Sequence, residues 1–306
     1  MNQQIALPAA PADAAPRRAD AGMVRLGERD VAGLLLCGDM YGAPYDLLAA
    51  VLGVRPDRLR GIVARWRRAG YCTTARLGPG PAWCWLTRAG LAVTGLGYAP
   101  SRPTLGRLAH IRAVLAVRLS LQASEAYRDG RAWWRSERRI RAAIGGRAVG
   151  HVPDAEVSWP ELPASPYPGE CWAIEAELTP KPLARTAAIM SALVTRTADY
   201  HPDAAPGQGP RYDRVVYLAA PAARGVTDRA AATLPPPLRG RVTVRDLPPG
   251  APVPAEGADA GRVRDTRSPC GWLSVASAVP SWALAIAVTM ASPRPEPGPA
   301  GWAAPR

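Results

Sequence analysis

Residues 171–178 read CWAIEAEL, and this run constrains the fold more than any other part of the chain. Eight residues of such apolarity, closed off by Pro180, are the length of a strand and too short for a core helix. Side chains alternate across a strand, so Glu175 and Glu177 share one face while Ile174 and Ala176 take the other. Two carboxylates on one strand face are either a solvated edge row or half of a site that gathers negative charge. The next stretch, TPKPLARTAAIMSALVTRTADY, reads as a helix with Thr179 as N-cap and Pro180 at its first position. YDRVVYLAA then reads as a buried-type strand, GVTDRAAATL as a short helix and GRVTVRDL as a last strand. The expected fold class is α+β, with a mixed α/β unit over residues 131–248.

Residues upstream of this run supply further acid. AWWRSERRIRAAIG reads as a short helix fronted by Ser136 and Glu137. GRAVGHVPDAEVSW reads as strand, turn and strand, followed by the proline-rich loop SWPELPASPYPGE. If the strands flanking that loop pair as a hairpin, Asp154 faces Glu175 and Glu177 across the ladder. Glu137 would add a fourth carboxylate. Converging carboxylates can hold Mg2+ or Mn2+, which activates water and screens charge on a phosphate. Each acid also has an ordinary reading: Asp154 follows a proline as turn residues do, and Glu137 stands among Arg135, Arg138 and Arg139 as in a surface ion pair. Lys181 is the chain's only lysine against 37 arginines.

The first third has a different character. GERDVAGLLLCGDM and APYDLLAAVLGV read as helices, the second ended by Gly53. RPDRLRGIVARWRRAGY is a third, with Pro56 in its first turn and an apolar stripe of Leu59, Ile62, Val63 and Trp66. Its other faces carry Arg55, Arg58, Arg60, Arg65, Arg67 and Arg68. Two β-prone runs, 71–77 (with Arg76) and 82–86, flank the turn GPGP. Net charge is +13. Residues 1–132 hold 18 arginines against 9 acids, so the basic excess is concentrated here and points to a polyanionic partner, a nucleic acid; the arginine-rich third helix narrows the expectation to double-stranded DNA.

Three helices followed by a hairpin resemble the winged helix-turn-helix superfamily over residues 26–100. PDAEV and IEAELTPK, preceded by SERRIR, resemble the PD-(D/E)XK nuclease superfamily. The combination is similar to the replication-relaxation family of plasmids and integrative elements. That resemblance implies a DNA-binding protein acting in replication, relaxation or transfer, and a Mg2+-dependent (or Mn2+-dependent) DNA endonuclease. It implies Asp154 and Glu175 as metal carboxylates, with Glu177 where the family usually has lysine. Lys181 is displaced beyond it and Glu137 is an auxiliary acid. The departure at Glu177 keeps open a non-catalytic regulator or scaffold with a degenerate nuclease-like domain.

Residues 101–130 read as a linking helix, Thr104 to about Tyr127, with a Leu105, Leu108, Ile111, Leu115, Leu119 stripe that could also pair two copies. Residues 1–25 read as a disordered tail without a signal-peptide core, and 249–306 as a Pro/Gly/Ala-rich tail. Within the latter, 270–292 carry no charge, but Pro280 and five hydroxyl residues argue against a membrane span. Five scattered cysteines without a CxxC pair indicate a reducing, cytoplasmic setting, and three distant histidines suggest no histidine-based metal site. Phosphate-loop, dinucleotide-fingerprint, nucleophile-elbow and HExxH motifs are absent from the sequence.

Overall fold

A computed structural model describes residues 25–129, 131–145, 150–163, 165–197 and 211–248, and within them the chain is a mixed α+β structure. It begins with α1 (Glu28–Asp39), the two-residue strand β1 (Ala43–Pro44), α2 (Tyr45–Leu52) and α3 (Pro56–Arg68). The hairpin β2 (Cys72–Ala75) and β3 (Trp83–Leu86) follows, and the three strands pair antiparallel in the order β1-β3-β2. Gly53 ends α2 in the left-handed region at φ 58°, which a β-carbon would penalise. Leu59, Ile62, Val63 and Trp66 face inward from α3, and burial of each such side chain is worth on the order of 2 kcal/mol. Gly33 on α1 makes room for Trp66: a β-carbon there would stand 2.6 Å from the indole.

The chain continues through α4 (Arg88–Val93), α5 (Leu105–Ala123) and α6 (Glu125–Asp129). Then come β4 (Trp133–Ser136), α7 (Glu137–Ile144), β5 (Ala155–Ser158), β6 (Cys171–Glu177) and α8 (Leu183–Val194). β7 (Arg214–Ala219), α9 (Pro221–Ala232), α10 (Pro236–Arg239) and β8 (Val242–Asp246) complete the described part. The five strands lie in the order β4-β5-β6-β7-β8, antiparallel from β4 to β6 and parallel from β6 to β8. Ala173, Val215 and Tyr217 pack from one sheet face onto Met190, Leu193 and Val194 of α8 and Ala230 of α9. Ala155, Val157, Ile174 and Ala176 on the other face join a core that includes Val114, Leu115 and Val117 of α5 and reaches the buried leucines of α1.

That core makes the expected linking helix a shared wall between the two halves. Buried charge reinforces the joint. Asp39 accepts from the Tyr98 hydroxyl at 3.1 Å and lies 3.8 Å from Arg118 and 3.7 Å from Arg139. Arg138 donates to the carbonyls of Gly38 (2.6 Å) and Ala99 (2.5 Å).

Several expectations need correction. The helix predicted over 104–127 breaks at Ser124, whose extended backbone (ψ 144°) starts the separate α6. In its stripe Ile111 and Leu115 are core residues, while Leu105 is 72% exposed. Trp133–Ser136 is a strand, so α7 stands between β4 and β5 and does not precede all three antiparallel strands. α8 begins at Leu183 with Pro182 as its cap residue, because a proline disfavours helical backbone at the residue before it. Lys181 is therefore loop. Residues 150–154 form no strand, and 146–149 lie outside the described residues, as do 1–24, the tail 249–306 and its segment 270–292. Among the described residues no helix is long and apolar enough to cross a membrane.

Candidate functional site

β6 is the central strand of its sheet, so the edge-row reading of its glutamates fails. Glu175 and Glu177 are each only 5% exposed. The register pairs Ala155 with Ile174, so Asp154, one residue out, stands opposite Glu175 as the hairpin reading expects. β5 has ended at that point, and the Ala176 N–H lies beyond the last ladder pair. The Asp154 carboxylate takes its place: Oδ2 accepts from Ala176 N–H at 2.8 Å. The Asp154 carbonyl accepts from the Glu137 N–H at 2.9 Å, which seats α7 against the same corner.

Each acid has a basic partner. His110 Nε2, on α5, lies 2.8 Å from Asp154 Oδ1. His151 Nε2 lies 2.8 Å from Glu175 Oε1. Lys181 Nζ donates to Glu177 Oε2 at 2.6 Å. Glu137 accepts from Arg107 at 3.1 Å and Arg141 at 2.7 Å, an ion pair as the ordinary reading had it but with partners other than the Arg135, Arg138 and Arg139 expected. Burial, then the charge of Asp154, pushes the Glu175 carboxyl up to about 7, with the His151 bond opposing. Burial disfavours charge on both histidines, but the Asp154 bond and charge outweigh it at His110 and those of Glu175 outweigh it at His151, so both pKa values rise.

Tyr217 lies across the ladder from Glu175 and is 1% exposed. Its buried hydroxyl has no hydrogen-bond partner among the described residues. Burial raises its pKa, and the charges of Glu175, Glu177 and Asp154 raise it further. Neither Tyr217 nor the two histidines was predicted. His110 is 44 residues before Asp154 on another element, and no local pattern announces it. Glu156 was also passed over, although it follows Asp154 by two and so shares its face. It is fully buried and accepts from Arg211 (2.7 and 3.3 Å) and the Tyr212 hydroxyl (2.8 Å), with Arg135 at 3.5 Å. That makes it a structural hub.

Among the described residues no group of three or more His, Cys, Asp or Glu side chains is arranged to hold a metal ion. Mg2+, however, is commonly bound by one or two carboxylates plus waters and substrate phosphate. Asp154 and Glu175 are the two carboxylates that could meet that smaller requirement; their charges repel one another across the buried corner, and Asp154 Oδ1 and Oδ2 and Glu175 Oε1 already have partners.

The arginines divide into two sets. Arg65 donates to Asp30, which also accepts from the Trp66 indole at 2.8 Å and the Gly27 N–H at 3.0 Å, so Arg65 anchors α3 to α1. Arg60 donates to Asp57 at 2.6 Å, and Arg55 lies 3.9 Å from the same carboxylate. Arg58, Arg67, Arg68 and Arg76 are exposed and make no hydrogen bond or ion pair among the described residues. Cys37, Cys72, Cys84 and Cys171 are free thiols; hydrogen bonding with Cys84, then burial, raises Cys72, hydrogen bonding with Cys37, together with burial, raises Cys84, and burial raises Cys171.

No family model matches this chain, and neither does any curated protein or solved structure.

Proposed function

We propose that this chain is a DNA-binding protein of a plasmid or integrative element, acting in replication, relaxation or transfer. In this reading residues 26–100 are a winged helix-turn-helix unit and 131–248 a PD-(D/E)XK nuclease-like unit. The order α1-β1-α2-α3-β2-β3, with a three-stranded sheet beside an arginine-bearing third helix, supports the first. The order α5-β4-β5-β6-α8-β7, with α7 inserted after β4, supports the second. The observation that carries the nuclease-like reading is the buried corner where Asp154 meets Glu175, beside Glu177 on the same strand face.

Asp154 and Glu175 would hold Mg2+ or Mn2+. When bound, such an ion neutralises charge at a phosphate and acidifies a coordinated water. Lys181 balances Glu177, which stands where the superfamily usually has lysine. His110 and His151 hold the other two carboxylates in place, and the Tyr217 hydroxyl is a spare donor beside them. A second reading is favoured by those same pairings. Each carboxylate already has a cationic or imidazole partner, as in a retired site that only binds DNA or protein.

Calorimetric titration of the full chain with Mg2+ and Mn2+, run on wild type and Asp154→Asn, separates the two. A binding event present in wild type and lost in the variant, with nicking of supercoiled plasmid lost alongside, supports the nuclease. Equal heats in both proteins refute the metal role of Asp154. DNA binding without metal uptake or nicking leaves the regulator.

A further inference from the structure

We infer that α3 engages B-form duplex DNA through the phosphates of both strands and is largely indifferent to base sequence. The inference rests on the DNA-binding reading above and concerns what kind of nucleic acid that face accepts.

The outward positions of α3 include Asp57, Arg60, Gly61, Ala64, Arg67 and Arg68, all exposed and spaced as one helical ridge, with Asp57 paired to Arg60 at 2.6 Å. Concavities flank the ridge on both sides, and Ala64 and Arg67 line both. The first, about 480 Å³, lies toward α2 and the hairpin and is rimmed by Arg60, Arg67 and Arg76 over Tyr45 and Leu59. The second, also about 480 Å³, lies toward β2 and is lined by Arg67, Arg68, Thr73 and Thr74. A helix with its side chains is about 10–12 Å across, and the major groove of B-DNA is about 12 Å wide. A ridge with a basic channel on either side therefore matches one helix lying between two phosphate strands. The acid in the first channel, Asp46, is held through both oxygens by Arg112 of α5, one bond at 2.8 Å, so its charge is already matched.

The middle of the ridge offers bases little to read: Asp57, its one acid, is already held by Arg60. Gly61 has no side chain, and a β-carbon there would meet nothing within 4 Å. Ala64 has neither donor nor acceptor. The outward positions carry no Asn or Gln, the side chains that pair bidentately with adenine. Arginine could pair with guanine, yet Arg67 and Arg68 stand at the channel walls, where phosphate oxygens would lie. Small residues in the centre let the backbone come close, and the arginines at its edge supply the attraction. Duplex RNA presents a deep, narrow major groove that admits no helix, so the same face discriminates against it.

Fluorescence anisotropy on the full chain tests this with a 20-bp DNA duplex, a shuffled duplex, the single strand and an RNA duplex of equal sequence. The expected result is the two DNA duplexes within about threefold, and the RNA duplex and single strand at least tenfold weaker. Neutralising a phosphate contact removes about 0.9 from the slope of log K against log salt. Arg67→Ala, Arg68→Ala and Arg76→Ala together should therefore flatten the slope by about 2.7. Arg67→Lys should bind nearly as wild type, because a phosphate accepts lysine where a bidentate guanine contact does not. These side chains make no ion pair among the described residues, so the variants should melt with wild type, which a thermal scan checks. A preference above 100-fold for one duplex sequence, equal affinity for RNA, or a large loss in Arg67→Lys overturns the inference but leaves DNA binding intact. No binding to any nucleic acid overturns both.

Discussion

Replacing Glu175 by glutamine should stabilise the fold, and only at high pH. The carboxyl ionises at about 7 in the folded chain against 4.5 for an ordinary glutamate, first because it is buried and next because Asp154 repels its charge. Between those values the folded state keeps a proton that the unfolded state has released. The stability this confers is complete below about pH 4.5 and is lost as pH rises through 7. Moving an ionisation that far costs the charged form up to about 3 kcal/mol once both states are ionised. His110 and His151 act in the same direction: their raised values give stability present below 6.5 and lost as pH climbs through their folded values. The substituted amide would keep an oxygen for His151 but carry no charge to desolvate. Urea denaturation at pH 5 and pH 8.5, with slopes checked for two-state behaviour, measures the difference. Glu175→Gln should exceed wild type at pH 8.5 by up to about 3 kcal/mol and fall back toward it at pH 5. A variant less stable than wild type at pH 8.5, or with the same offset at both, would refute the buried, repelled carboxyl.

Two further substitutions probe the same sheet face. Glu156→Ala removes the buried carboxylate that Arg211 and Arg135 face, so it should cost about 3–5 kcal/mol in urea denaturation; a loss below about 1 kcal/mol would mean the hub is solvated. Tyr217→Phe removes a hydroxyl without a partner among the described residues, so thermal melting should be unchanged or raised, by about 1 kcal/mol in stability terms; a clear loss would show that the hydroxyl is bonded.

The local elements were legible because their signals are local. Pro56 and Gly53 bracket real helix ends, and the strand CWAIEAEL runs from Cys171 to Glu177 as its alternation requires. Where tertiary pairing overrides local pattern, the sequence misled. Trp133–Ser136 looks like the lead-in to a helix and becomes a strand because β5 offers it a ladder partner. The site divides the same way. Asp154, Glu175 and Glu177 could be placed together because a hairpin register follows from alternation. His110 could not, since nothing in a helix 44 residues upstream says which strand end it will reach. Charge counting also overstated the basic face. It gave Arg65 the same weight as Arg67, and only packing reveals that Asp30 has claimed the first.

The helix expected to be a linker carries the strongest consequence. His110 and Arg112 are two residues apart on α5, and one reaches Asp154 at the acidic corner while the other grips Asp46 in the basic channel beside α3. Between them Ile111 is buried, and further along Val114, Leu115 and Val117 lie in the core shared by both sheets. Two side-chain contacts on one turn of α5, with a packed core further along it, leave little room for a hinge. The spacing between the arginine ridge and the carboxylates is therefore a property of the fold and not of a tether. DNA seated on α3 would meet the acidic corner at a fixed offset along its axis or not at all.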